Sequence, residues 1–252
     1  MKVLKYDFLY FDFSIFCFIG LFLYQHIGNV WMFHIKKYKG TKMNTSIIIV
    51  TVLVMISFTI LYSISAKKAG YTFFAGLRGE HAVSRELHRL GSKYIILNDL
   101  MLRTVHGTCQ IDHVVLSPFG IFVIETKNIR GKITGHDEWK EWYWHCKDSS
   151  RTIYNPVMQN MRHVEVLSNT LNVSEKCFVP VVVFAGKAYI RIETSHAVLF
   201  LGQLVPFIKL FRSEQLSSSS VSHLKDKLEK CNITDQYERQ KHVSYVKKSQ
   251  HH

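Results

Sequence analysis

The chain has 252 residues, enough for one sizeable domain with appendages, and 47% of them are hydrophobic, which argues against a disordered chain. Its formal net charge of +13 points to a polyanionic partner, nucleic acid or anionic lipid, without choosing between them. The five cysteines, Cys17, Cys109, Cys146, Cys177 and Cys231, are scattered and hold no C-x-x-C pair; this is a poor disulfide framework and a poor zinc site, and fits reduced thiols in a cytosol-facing domain.

Two apolar runs come first. Phe8 to Tyr24 is aromatic-rich and short, and carries Asp12, which is costly in hydrocarbon away from the interface. Ile47 to Ile64 carries no charge, is followed by Lys67 and Lys68, and is long enough with its flanking serines to cross a bilayer. It lacks a small-residue cleavage site, so it reads as an anchor over 43–66 and not a removed signal. A buried core helix is the alternative, and the absence of a polar face weighs against it. Two spans would leave Lys36, Lys37, Lys39 and Lys42 outside, against the positive-inside tendency; a start at Met43 would remove that conflict, leaving 1–42 as an extension with a membrane candidate at 8–24.

Gly79 to Leu90 predicts a helix, with Val83, Leu87 and Leu90 at helical spacing, Glu80 on the same inward stripe and Gly91 as the stop. Tyr94 to Leu97 predicts a strand continued by Asp99 to Leu102. Gln110 to Val115 and Gly120 to Lys127, joined through Ser117-Pro118-Phe119-Gly120, read as a hairpin. Gly131 to Cys146 predicts a second short hairpin, whose Trp139, Trp142 and Trp144 are read as sharing one strand face, with core packing ahead of base stacking. Asn155-Pro156 predicts a helix start, with Val157, Met161, Val164 and Leu171 as its buried stripe and Gln159 and His163 one turn apart beside it. Phe178 to Ala185 and Ala197 to Leu201 predict covered strands. Leu204 to Phe211 and Val221 to Leu228 predict helices, Ser217 to Ser220 a connector, and 233–252 a charged, loosely ordered tail. This order predicts an α/β domain with a mixed central sheet flanked by helices, completed by the strand and helices of 191–232.

The first hairpin carries the chemistry. Residues two apart in a strand share a face, so Glu125 and Lys127 point the same way, at the end of a very apolar strand. Burying them needs a partner, and Asp112 on the neighbouring strand supplies one. Two carboxylates on adjacent strands suit a hard divalent cation such as Mg²⁺, which keeps its waters and contacts phosphate. With a lysine beside it, such a site has the parts needed for phosphodiester hydrolysis. The simpler reading of the same three residues is a satisfied ion-pair network.

Asp112, then Glu125-Thr126-Lys127 on the next strand, resembles the PD-(D/E)-x-K nucleases, with Ile111 where that superfamily often has proline. Gly79-Glu80, Gln110-Ile111-Asp112-His113, Gly120 to Lys127, Gly131-x-Ile133-x-Gly135 and Asn155-Pro156-x-x-Gln159 together resemble the nuclease-related domain (NERD) family over roughly 75–185, within a domain bounded at 72–190. Bacterial members often carry an N-terminal membrane helix. The resemblance implies a restriction-endonuclease-like fold, with Asp112 and Glu125 as ligands of Mg²⁺ or Mn²⁺ and Lys127 as the catalytic lysine. It also implies Glu80 as an accessory acid and Gln159 as a helper.

The expectation is therefore a Mg²⁺-dependent endonuclease acting on nucleic acid, DNA ahead of RNA. It would be held at the cell membrane by one or two spans, with its main domain cytoplasmic. The alternative from another class is a non-catalytic, membrane-tethered nucleic-acid-binding or scaffold protein; a basic adaptor for lipid surfaces stands third. Simpler readings remain for the accessory residues: Glu80 as an acid favoured by a helix dipole, Gln159 as a partner of nearby backbone, and His113 as a packed histidine. His136, His145 and Cys146 fit no zinc spacing.

Overall fold

The computed structural model describes residues 45–147 and 149–249. The chain divides into two units, residues 1–65 and 66–252. Helix α1 (Thr45–Leu87) begins in the first unit, where Val50, Leu53, Phe58, Leu61 and Ile64 are exposed. Its hydroxyls turn back on the helix: Ser57 and Ser63 donate to the carbonyls of Leu53 and Thr59, and Thr59 donates to Ile56. The stretch thus offers its surroundings little polarity. Among the described residues no helix is long and apolar enough to cross a membrane. The segment 8–24 lies outside those residues, and part of the 47–64 run lies outside the described side chains.

In the second unit the sequence expectation of a helix opening at Gly79 is corrected, because α1 runs through that position. The glycines at 70, 76 and 79 cost about 1 kcal/mol each in a helix interior without stopping it. Val83 and Leu87 are buried, and Gly91, at φ 91°, follows the end as expected.

A five-stranded sheet has the order β1-β2-β3-β7-β9, from β1 (Ile95–Thr104), β2 (Gly107–Ser117), β3 (Gly120–Lys127), β7 (Phe178–Phe184) and β9 (Ala197–Phe200). β1, β2 and β3 form an antiparallel meander, while β3–β7 and β7–β9 are parallel. The β2–β3 turn closes with Ser117 opposite Gly120, whose φ of 140° needs glycine. A parallel partner requires a long crossover. Here it contains β4 (Gly131–His136), β5 (Glu141–Cys146), β6 (Ser149–Tyr154) and helix α2 (Pro156–Leu171).

Those three strands and β8 (Ala188–Glu193) form a second sheet, ordered β6-β5-β4-β8, where a single central sheet was expected. The second sheet folds tightly around Trp142. A Cβ on Gly135 would lie 2.4 Å from that ring, and one on Gly131 would lie 2.2 Å from the His145 carbonyl. The Gly131-x-Ile133-x-Gly135 motif is therefore a packing device. Trp142 and Trp144 turn inward, but Trp139 lies outside the strand and is 47% exposed, so the expected shared face holds for two of the three.

Both faces of the central sheet are covered, which is why its strands read as continuous apolar runs. On one face Ile121 and Val123 pack against Val164, Leu167 and Leu171 of α2 and against Val221, Leu224 and Leu228 of α4 (Ser218–Cys231), with α3 (Leu204–Ile208) lying between β9 and α4 in the chain. On the other, Phe122 and Ile124 meet Val83 and Leu87 of α1 and Leu204, Val205 and Ile208 of α3. Between the sheets Ile133 and Trp142 meet Val182 and Phe184. In α2, Asn155 accepts from the Val157 amide and its own amide donates to the Trp139 carbonyl, so the cap also ties the helix to the β4–β5 turn. Met161 is exposed, against expectation. Asn160 takes the inward place, donating to the carbonyls of Val123 and Val181. The charged tail forms helix α5 (Gln236–Ser249), tethered by Ile233 N–H to the Met101 carbonyl and by Arg239 to Asp99.

Candidate active site

The site forms where two strands part. The β2–β3 ladder ends at His113 opposite Ile124, while β3 continues to Lys127 on its other partner, β7. Asp112, the next residue of β2, meets this opening. Its Oδ2 accepts the Thr126 amide at 2.8 Å, replacing the ladder bond that the departing strand no longer makes. Glu125 lies at the seam between the α2-facing core and the core between the sheets, and is 2% exposed.

Lys127 reaches back along its own face. Its Nζ donates to Glu125 Oε1 at 2.7 Å and to Gln159 Oε1 at 3.0 Å. Gln159 thus holds the ammonium, and the backbone-satisfying reading does not describe its contact. Among the described residues Glu125 Oε2 accepts no hydrogen bond; His163 Nδ1, buried one turn beyond Gln159 on α2, stands 3.6 Å away. Sequence reasoning placed His163 beside Gln159 but left it out of the site. The i, i+4 spacing of the two was the available signal.

Glu80 arrives from α1 through a close approach. A Cβ on Gly79 would sit 2.5 Å from Asn128 Cβ, and Asn128 Nδ2 donates to the Ala75 carbonyl at 2.6 Å, so this helix turn lies against the end of β3. The dipole explanation for Glu80 fails, because the helix begins at Thr45 and the dipole acts within the first turn.

The electrostatics follow from this crowding. Burial pushes the Asp112 carboxyl well above the usual range, and the charges of Glu125 and Glu80 push it further. The Thr126 amide and Lys127 oppose the shift without cancelling it. His163 is held below its usual value, chiefly by burial, with Glu125 pulling the other way and Lys127 and Arg162 adding to the depression.

Among the described residues no group of three or more His, Cys, Asp or Glu side chains forms a metal cage. A cation here would rest on Asp112 and Glu125, with the remaining positions left to water and phosphate, as Mg²⁺ tolerates. The donor set fits that role: one buried carboxylate oxygen accepts no hydrogen bond among the described residues, and its neighbouring carboxyl is disfavoured as an anion. His113 is a packed histidine, bonded through Nδ1 to Asn98 Oδ1 at 2.7 Å.

Comparison with known proteins agrees with the motifs. The model of the nuclease-related domain family, NERD, matches residues 75–185, the block that holds all five residues expected in the site. An uncharacterized protein of Bacillus anthracis is 30% identical over 177 residues, covering 68% of this chain and 83% of that protein. No solved structure matches. The chain belongs to the nuclease-related domain family.

Proposed function

We propose that this protein is a metal-dependent nuclease that hydrolyses phosphodiester bonds of nucleic acid, DNA ahead of RNA, where β2 and β3 part. One observation carries the reading: Asp112, Glu125 and Lys127 converge there, with more negative charge than the site can hold comfortably. Asp112 and Glu125 would hold Mg²⁺ or Mn²⁺. The bound ion supplies polarisation of a phosphoryl oxygen and a more acidic water.

Lys127, steadied by Gln159, orients the attacking water or offsets the charge that grows on the phosphate. Glu80 acts as an accessory acid through its charge on Asp112. The apolar run 47–64, followed by Lys67 and Lys68, supports an anchor that leaves the nuclease domain on the cytoplasmic side of the cell membrane.

The test is cleavage of plasmid, single-stranded DNA and RNA by the full-length chain in detergent, with Mg²⁺, Mn²⁺ or EDTA. Cleavage should need metal and vanish in Asp112→Ala and Lys127→Ala. Equal cleavage by wild type and both variants would point to a contaminant and sink the proposal. A second reading, a tethered binding or scaffold module without catalysis, is favoured by the fact that Lys127 already neutralises Glu125 without a cation. Salt-dependent binding with no metal-dependent cleavage would select it.

A further inference from the structure

Among the described residues, no core uses the outer face of the second sheet. Ile133, Trp142, Trp144 and Ile190 point inward. Strand alternation sends their neighbours out, and the register aligns these in rows. Lys132 stands beside His145 on one side and Tyr189 on the other. In the next row Thr134 stands between Tyr143 and Arg191. Tyr143 is 49% exposed and Tyr189 67% exposed, so both rings lie open on this face.

The rings also form a series. Trp139 packs edge-on against Tyr143 at 6.0 Å between centroids, and Tyr143 lies stacked with His145 at 6.4 Å. Charge divides along the face. Lys132 and Arg191 stand in the first two rows, while Glu193 lies beyond them beside His136, and Glu141 beside Tyr154. A core has no use for exposed rings interleaved with cations. A strand of unpaired bases uses both, rings for the base faces and cations for the phosphates.

We propose that this outer face is a stacking platform for single-stranded nucleic acid. It rests on the nuclease reading above, and names the strandedness of the substrate the cleft receives. β4 begins at Gly131, directly after the short segment that follows Lys127, so platform and cleft are consecutive in the chain. A duplex keeps its base faces stacked inside, so the rings have no base face to stack on. Single-stranded DNA and RNA share the chemistry the face recognises.

The test is fluorescence anisotropy of the full-length chain in detergent with EDTA, so that binding is read without cleavage. The probes are labelled oligothymidylate, oligouridylate and a mixed-sequence duplex, each about fifteen nucleotides long, near the upper size of one such binding face. Wild type should bind the single strands more tightly than the duplex, and the two single-strand arms show which sugar is preferred. Tyr143→Ala with Tyr189→Ala should weaken single-strand binding roughly ten- to hundred-fold, while Tyr143→Phe with Tyr189→Phe restores it, because the ring faces remain. Lys132→Gln with Arg191→Gln should flatten the salt dependence.

Duplex binding as tight as single-strand binding, or unchanged binding by the alanine pair, overturns the platform. The two proposals fail separately. Ring-dependent binding without any metal-dependent cleavage sinks the nuclease and leaves the platform standing; cleavage with ring-independent binding does the reverse.

Discussion

Asp112 is where the free-energy conflict of this protein is concentrated. Its carboxyl is raised above the usual 3.8 by burial and by two neighbouring acids, so without metal the folded state holds that proton more tightly than the unfolded chain. The resulting stability is full below the ordinary carboxylate range and is lost as pH rises through the raised value. In EDTA, the melting temperature of wild type should therefore fall relative to Asp112→Asn between acid and neutral pH, and Mg²⁺ at neutral pH should reverse the fall. A pH-independent difference between the two proteins would contradict this account. Lys127 offsets the neighbouring charge: Lys127→Ala leaves the buried Glu125 carboxylate without its ammonium, which costs about 3 kcal/mol. Glu125→Gln in the same chain should recover most of that loss in urea denaturation. Asp112, Glu125 and Lys127 were legible because strand alternation and the cost of buried charge both act within a few residues. His163 was not, because its partner Glu125 lies on another element and meets it only after α2 packs.

At the level of elements, close approach and broken alternation shape the cleft. Gly79→Ala improves helix propensity by about 1 kcal/mol, yet its Cβ would meet Asn128 at 2.5 Å. The clash should prevail, destabilising the protein by roughly 1–3 kcal/mol and lowering cleavage as Glu80 is pushed from Asp112; a stability gain in thermal melts would show that α1 can shift freely. In β1, Leu97 and Leu100 pack in the same core, and in β2 so do Ile111 and Val114, spacings a regular strand does not allow. The cause is Asp99, at φ 56°, which stands opposite Asp112 and is left out of the ladder. Gln110 and Arg239 both donate to its carboxylate, and Arg239 also reaches the Asp99 and Ile233 carbonyls. Arg239→Ala should loosen α5 and cost roughly 1.5 kcal/mol, read as faster amide exchange over residues 236–249. Alternation predicted the hairpin correctly and could not show this break, since the residue that holds it lies in the charged tail.

For the whole molecule, composition and hydropathy point to two different environments. The proposed anchor predicts that the native protein stays with membranes through carbonate extraction, and that deleting residues 1–65 releases it; release of the intact chain would argue for a peripheral association. The family match covers the block in which the motifs were visible in order. By itself the sequence determined the elements with strong local signals: the apolar run, the β2–β3 hairpin, the Asn155-Pro156 helix start and the acidic and lysine residues of the site. Only the tertiary structure decided that the crossover builds a second sheet with its own core, that α1 passes through Gly79 without a break, and that the charged tail becomes a helix docked on β1. The reason is physical. Periodicity, capping and turn chemistry depend on neighbours in sequence, whereas sheet membership, glycine-mediated approach and long-range hydrogen bonds depend on residues far apart in the chain.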